Sequence, residues 1–360
     1  MQNLVISVDA MGGDLGPAAV VDGMARSAKK NAAIRFIVHG DAATLDPMVA
    51  RRADLAERCE VRHSERVVEV AARPSSIIRR GQGTSMWAAV DAVREGEATV
   101  AVSGGNTGAL MALAGYRLGK AEIVNRPAIA VLWPSRNRQG YTVVLDVGAD
   151  VRAESKDLLQ YAIMGAEYAR VGLGLPSPRI GLLNVGTEAY KGHAELHAAA
   201  DLISAWASQP DAGFTFVGFV EGDAMPGDQV DVVVTDGFTG NIALKAAEGT
   251  ARLVRDFLKH AFEYSILSRI GALFAYTSLG RLAKRIDPRQ VNGGVFLGLN
   301  GAVVKSHGAA DGLGISAAIK LAFRLAEGRF TEKVAGRLAT LPIASEDMFG
   351  GRGRSQSGLR

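Results

Sequence analysis

The stretch "LVISVDAMGGDLGP", residues 4–17, decides the fold. An apolar, β-branched run ends abruptly at Asp9. Gly12, Gly13 and a second acid, Asp14, then crowd into a turn before Pro17, and the helical pattern "AAVVDGMARSAKK" follows. Strand, glycine turn and helix together make half of a crossover unit. Repeated crossovers give a largely parallel sheet covered by helices on both faces. Glycines at a strand end let backbone N–H groups approach an anion such as phosphate. Carboxylates repel phosphate, so Asp9 and Asp14 are expected to act indirectly. They would orient a lysine or arginine, or accept N–H groups and hold the loop open.

The same grammar recurs downstream. "IRFIV", "ATVAVSG", "PAIAVLWP", "YTVVLDV", "RIGLLNVG", "FTFVGFV" and "DVVVTDG" read as strands. Between several of them lie stretches with apolar residues at helical spacing, such as "SMWAAVDAVREG" and "SKDLLQYAIMGAEYARV". "NRQGY", residues 137–141, reads as a hairpin turn, which makes the sheet mixed. The chain has 360 residues, 48% hydrophobic, enough for a large core, as one big α/β unit or two lobes. A single cysteine, Cys59, excludes an internal disulfide framework and multi-cysteine metal sites. With so few thiols the cytoplasm is the expected compartment, and no signal peptide or spanning stretch is read. The net charge of +4 favours acidic partners, while 6% aromatics without a basic–aromatic run argue against nucleic acid.

Five strand-end loops combine glycine with Asp, Asn, Ser or Thr. They are "DAMGGD", "SGGNTG" (103–108), "DVGAD" (146–150), "NVGTE" (184–188) and "DGFTGN" (236–241). One such loop is an ordinary turn, but five at the same kind of position point to one polar, anion-binding cleft beyond the strand ends. The candidate ligand-binding residues are Asp9, Gly12, Gly13 and Asp14 in the first loop, and Ser103, Gly104, Asn106, Thr107 and Gly108 in the second. Asp146, Gly186, Thr187, Asp236, Thr239 and Gly240 come from the other three.

The combination of "SVDAMGGDLGP", "SGGNTGALMA", "LDVGAD", "LLNVGTE", "VVVTDGFTGNIALK" and "GLNGAVVKSHGAADG" resembles the bacterial fatty acyl-carrier-protein:phosphate acyltransferases, the PlsX family. The motifs keep the family's order from Leu4 to about Glu327. Two positions depart from it: Asp150 stands where the family reads Asn, and the basic segment before "SM" carries Arg79 and Arg80 rather than lysines. The resemblance implies a three-layer α/β/α sandwich, similar to the isocitrate and isopropylmalate dehydrogenases and to phosphotransacetylase, working as a homodimer. It implies that inorganic phosphate attacks the thioester of acyl–acyl carrier protein, giving acyl phosphate for phospholipid synthesis. A downstream glycerol-phosphate acyltransferase would consume that product. No cofactor or metal is expected.

The residues present suit that chemistry. Phosphate is a competent nucleophile and the thioester is already activated, so no covalent nucleophile is required, and no G-x-S-x-G elbow is present. Cys59, in the charged, helical context "LAERCEVRH", reads as structural. The remaining tasks are to hold phosphate and to stabilise the oxyanion. Lys191, after "NVGTEAY", reads on its own as either a solvated lysine or an anion-neutralising one. Asn241 reads as either a helix N-cap or an amide donor. The resemblance puts both in the family's active-site motifs. His307, in "VKSHGAADG", is either the acid that protonates the departing thiolate or a loop histidine bonded to backbone. His193 and His197, four apart, are expected to be a helix-face pair without metal.

Arg79 and Arg80 are candidate docking residues for the acidic carrier protein. Residues 1–345 are expected to form one catalytic domain, and residues 346–360, Gly/Ser/Arg-rich, a disordered tail. Residues 262–286 read as an amphipathic arm with Ile270 and Phe274 on its apolar side and Arg281, Lys284 and Arg285 on its basic side. Gly271 and Gly280 suggest a break into two short helices. Such an arm is suited to peripheral contact with an anionic membrane, and equally to a core or a dimer interface. Two other readings compete: an actin-like kinase holding ATP through "DAMGGD" and "LDVGAD", and a non-catalytic membrane adaptor. A nicotinamide dehydrogenase is disfavoured, because no G-x-G-x-x-G follows the first strand.

Overall fold

The computed structural model describes residues 4–69, 73–286 and 293–341. Its strands are β1 (Leu4–Asp9), β2 (Ile34–Gly40), β3 (Cys59–His63), β4 (Val100–Ser103), β5 (Ala128–Pro134), β6 (Tyr141–Leu145), β7 (Arg179–Leu183), β8 (Thr215–Val220), β9 (Val232–Val234), β10 (Gly294–Leu297) and β11 (Ala302–Lys305). The helices are α1 (Gly16–Lys30), α2 (Ala42–Ala50), α3 (Ala53–Ala56), α4 (Pro74–Arg80), α5 (Ser85–Arg94), α6 (Thr107–Leu118), α7 (Ser155–Leu173), α8 (Ala194–Ala207), α9 (Gly237–Glu263), α10 (Ile266–Ile286), α11 (Gly312–Glu327) and α12 (Phe330–Leu338).

The strands form one sheet in the order β3-β2-β1-β4-β11-β10-β5-β6-β9-β7-β8. β10 runs antiparallel to both β11 and β5, and β5 antiparallel to β6; the other pairs are parallel. The sheet is therefore two parallel blocks of opposite direction, joined by two central strands. Its strands are apolar on both sides because helices cover both faces. Val20 and Met24 of α1, Tyr161 of α7, Ile203 of α8 and Ile319 of α11 pack on one face. Ile77 of α4, Met86 of α5 and Leu110 of α6 pack on the other, with Ala243 and Leu244 of α9 at its margin. This is the expected three-layer α/β/α sandwich.

Several local readings change. Cys59 opens β3 instead of lying in a helix; it is partly buried, and burial pushes its thiol up to about 12. β10 and β11 are strands the apolar pattern did not reveal. Asp236 caps α9, so Asn241 sits in the second helical turn and is not its N-cap. α10 runs unbroken through Gly271 and Gly280. The arm starts earlier than residue 262, which lies in the last turn of α9. Every residue from 250 to 261 is exposed, so α9 and α10 stand clear of the sandwich as a hairpin. The side chains of Arg281, Lys284 and Arg285, and the tail at 346–360, lie outside the described residues.

α1 and α11 pack so closely that a Cβ on Gly23 would lie 2.5 Å from the Cβ of Ile315. Gly336 in α12 faces open space. Alanine gains about 1 kcal/mol of helix propensity at either site, but overpacking costs roughly 1–3 kcal/mol. Gly336→Ala should therefore raise the thermal midpoint and Gly23→Ala should lower it. Equal shifts in a thermal melt would contradict the close α1–α11 contact.

Candidate active site

The first parallel block ends in a row of three residues. Asp9, Ser103 and Lys305, the last residues of β1, β4 and β11, stand side by side in register. The buried Asp9 carboxylate accepts the Met11 N–H (3.1 Å) and the Ser103 hydroxyl (2.7 Å), and the Ser103 oxygen accepts the Gly105 N–H (3.1 Å). Burial pushes the Asp9 carboxyl above the usual range, against the pull of these bonds. Asp14 donates its N–H to the Gly308 carbonyl (2.8 Å). A Cβ on Gly12 would collide with the Asp9 carboxylate and lie 2.8 Å from the Gly105 nitrogen, so only glycine lets the loops meet. Gly13 and Gly104 meet backbone to backbone in the same way. Asn106 caps α6 by accepting the Ala109 N–H (2.8 Å), leaving Thr107 and Gly108 exposed. His307 is exposed; its Nδ1 accepts the Ala309 N–H (3.2 Å), so the neutral ring carries its proton on Nε2.

Lys305 joins this row of strand ends, although motif reading passed over it. Its ammonium donates to the carbonyls of Gly104 (3.2 Å) and Ser306. Burial lowers it to about 8, with Lys245 pushing the same way and Asp14 and Asp9 pulling it back up. The available signal was a charge ending an apolar run, "AVVK".

In the second block β6 and β9 end in Leu145 and Val234, in register with Leu182, one residue short of the end of β7. The loops after them are the other three glycine loops. Asp146 is fully buried. Its carboxylate accepts the N–H groups of Ile129 (2.8 Å), Gly148 (3.2 Å), Ala149 (3.0 Å) and Asp150 (2.7 Å). Burial still pushes its carboxyl up. Asp236 accepts the Thr239 N–H (2.9 Å) and hydroxyl (2.7 Å) and so starts α9. A Cβ on Gly240 would overlap the Asp146 carbonyl oxygen. That contact seats the first turn of α9 on the Asp146 loop. Asn241, one residue on, donates an amide hydrogen to the Val147 carbonyl (3.1 Å).

Asp150, the departure from the family motif, ties the loop to α9. Its carbonyl accepts the Gly237 N–H (2.8 Å) and its carboxylate pairs with Arg126 (2.8 Å). Lys191 is half-exposed, folds over Gly186 and pairs with Glu188 (3.0 Å). The hydrogen bond from Lys191 lowers the Glu188 carboxyl. Thr187 is exposed beside it.

The two blocks face one space. Gly294 of β10 pairs with both Lys305 and Val131. Ile129, held by Asp146, is thus two strands across and two residues along from Lys305, about 10 Å and 7 Å. Lys245, one turn beyond Asn241 on α9, is near enough for its charge to act on Lys305. Arg79 and Arg80 are exposed on α4; Arg79 lines a depression of about 550 Å³ with Trp87, Tyr116 and Arg117. His193 stands at the N-cap position of α8 without a side-chain capping bond, and the His197 ring meets Phe219 edge-on at 5.4 Å.

Asp146 and Asp150 should respond differently to loss of charge. Asp146→Asn turns an acceptor into a donor facing N–H groups, and each charged hydrogen bond is worth roughly 1.5–3 kcal/mol. Denaturant unfolding should show a loss of about 2–4 kcal/mol, on that same scale. Asp150→Asn keeps the backbone bridge, and its amide oxygen can still accept from Arg126 and the Arg152 N–H, so the loss should be smaller, about 1 kcal/mol, the scale of one neutral hydrogen bond. Comparable losses would contradict the division between the two acids.

Residues 4–333 match the family model described as "Fatty acid synthesis protein". The chain is 64% identical over 336 residues to the phosphate acyltransferase of Dinoroseobacter shibae, covering 93% of this chain and 87% of that protein. It is 61% identical over 349 residues to the enzyme of the same name from Paracoccus denitrificans, covering 97% and 94%. Among solved structures it is similar to a phosphotransacetylase from Streptococcus pyogenes (TM-score 0.61, 17% identity, 90% of this chain and 94% of that one). It is also similar to the EutD phosphotransacetylase from Staphylococcus aureus (TM-score 0.59, 16% identity, 90% and 95%). At those identities the likeness speaks for the fold, which the chain shares with phosphotransacetylases. The match across residues 4–333, with relatives at 61–64% identity, assigns the chain to the fatty acid synthesis protein family of phosphate acyltransferases.

Proposed function

We propose that this enzyme transfers a fatty acyl group from the thioester of acyl carrier protein to inorganic phosphate. The observation that carries this reading is the pair of glycine-loop junctions facing one space, in a chain of the phosphate acyltransferase family. A phosphate oxygen attacks the thioester carbonyl carbon. The tetrahedral oxyanion collapses, the C–S bond breaks, and acyl phosphate and the carrier thiolate leave. No acyl-enzyme forms, and the step calls for no metal or cofactor.

Lys191 and Asn241 are assigned to the oxyanion. An amide has two N–H donors, and the Val147 carbonyl takes one of those of Asn241. The Lys191 ammonium is held near Gly186 by Glu188 and brings positive charge. Thr107, Thr187 and the glycine N–H groups are assigned to phosphate. Asp9, Asp14, Asp146 and Asp236 hold the loops. His307, with an N–H on Nε2, is assigned to the departing thiolate, holding it by a hydrogen bond while it takes up the proton that the attacking hydrogen phosphate releases. Arg79 and Arg80 offer positive charge to the acidic carrier. The kinase reading leaves the loops at 103–108, 184–188 and 236–241 without a role, and the adaptor reading leaves the whole cleft without one.

The arm is assigned to a dimer partner and an anionic membrane surface. Leu253, Phe257, Ile266, Leu267, Leu273 and Phe274 expose apolar side chains along a hairpin whose helices are about 40 Å and 31 Å long. No helix among the described residues is long and apolar enough to cross a membrane. Peripheral contact on the cytoplasmic side would hand acyl phosphate to a membrane-bound glycerol-phosphate acyltransferase.

Purified protein with acyl–acyl carrier protein should release thiol only when phosphate is present, and a chelator should leave the rate unchanged. Release indifferent to phosphate overturns the reading. Lys191→Ala and Asn241→Ala should each lower kcat roughly a hundredfold or more, the scale of losing one oxyanion donor. Their thermal midpoints should barely move, because Lys191 is half-exposed and Asn241 exposed. Near wild-type turnover removes the role of the residue concerned. Charge reversal at Arg281, Lys284 and Arg285 should release the protein from anionic vesicles while turnover in solution persists; unchanged vesicle binding contradicts the membrane role.

A further inference from the structure

Lys305 ends β11 in register with Ser103 and, one strand further, Asp9. Its ammonium has three N–H donors, and two are directed at the carbonyls of Gly104 and Ser306. Those carbonyls aim the group without neutralising it. Among the described residues no carboxylate forms a contact ion pair with it. A largely buried cation without a contact counter-ion carries a desolvation penalty that is offset when an anion binds. The nearby acids are engaged elsewhere. The Asp9 carboxylate is taken up by Ser103 and Met11, and the Asp14 carboxylate lies against Gly308, where a Cβ would be 2.9 Å from it. They keep the lysine charged from a distance. Lys245 of α9, itself paired with Glu248 at 2.9 Å, adds a second positive charge near enough to act on Lys305. Two cations from separate blocks of the sheet, near enough for their charges to interact, favour a small, doubly charged anion at the Lys305 row.

We propose that Lys305 seats the inorganic phosphate, fixing the nucleophile between the β1, β4 and β11 loops and α9, while Lys191 and Asn241 serve the carbonyl side. This assignment rests on the acyl-transfer reading of the cleft. It explains why the loop "DAMGGD" carries two carboxylates beside an anion site: their charge holds a proton on a lysine that burial would otherwise strip. The proton state of Lys305 then enters phosphate affinity directly, since burial has brought its titration down to about 8.

The test uses the full-length protein, inorganic phosphate and acyl–acyl carrier protein. Lys305→Met should raise the KM for phosphate about 10- to 100-fold, the scale of one charge-assisted hydrogen bond, and leave the KM for the carrier thioester unchanged. Calorimetric titration with phosphate alone should show the same loss of affinity. Wild-type affinity should weaken between about pH 8 and about pH 9.5, where phosphate's own ionisation to the dianion is complete, and the Lys305→Met profile should be flat there. Lys305→Met binding phosphate as tightly as wild type, or wild-type protein failing to bind phosphate, overturns the proposal. If Lys305→Met does not fold, Lys305→Gln takes its place, and a folded variant that binds phosphate as tightly as wild type overturns the proposal. Tight, Lys305-dependent phosphate binding without thiol release would instead keep the site and remove the acyl-transfer reading.

Discussion

Asp146 accepts hydrogen bonds from the N–H groups of Ile129, Gly148, Ala149 and Asp150 while completely buried. Those bonds join β5, the β6 loop and, through Asp150 and Gly240, the first turn of α9. Asp9 does the equivalent for the loops after β1 and β4. In a low-dielectric interior a carboxylate is tolerable only when its lone pairs are filled, and a glycine loop holds its shape only when its N–H groups are filled. Each need is met by the other. The positions of Asn241, Lys245 and Lys305 follow, because α9 and β11 leave these two knots.

The reversal of the sheet across β10 and β5 brings the ends of its two parallel blocks together. In an all-parallel sheet all the strand-end loops would lie along one edge. Here they come from opposite edges, but the register across β10 and β5 sets the end of β6 within about two residues of the level of Lys305, so the walls remain close. One wall carries Lys305, the other Lys191 and Asn241. That separation matches a reaction needing one group of contacts for an anionic nucleophile and another for a developing oxyanion.

Most of this organisation was legible in the sequence. The apolar runs placed eight strands, the "NRQGY" turn announced the mixed sheet, and the glycine–acid loops marked strand ends in both blocks. What escaped has physical reasons. β10 and β11 are four residues each, too short to show a period, and glycines break the runs around them. β3 is an edge strand whose charged side chains hide its pattern. Gly271 and Gly280 did not break α10, since an exposed helical glycine costs only about 1 kcal/mol and the turns on either side persist. Asn241 looked like a cap because Asp236, the residue that accepts the Thr239 N–H, is five positions earlier. Lys305 was hidden because a lysine after two valines reads as the solvent end of a strand. Only the meeting of three loops in space turns it inward.

The central claim is that phosphate itself attacks the thioester, with the protein supplying position and charge and no covalent intermediate. Mixing stoichiometric enzyme and acyl–acyl carrier protein without phosphate, and following both free thiol and intact protein mass, tests it most directly. Direct attack gives no thiol burst and an unmodified chain until phosphate is added, when thiol and acyl phosphate appear together. A burst of one thiol per active site, with the acyl mass on the protein, would contradict it.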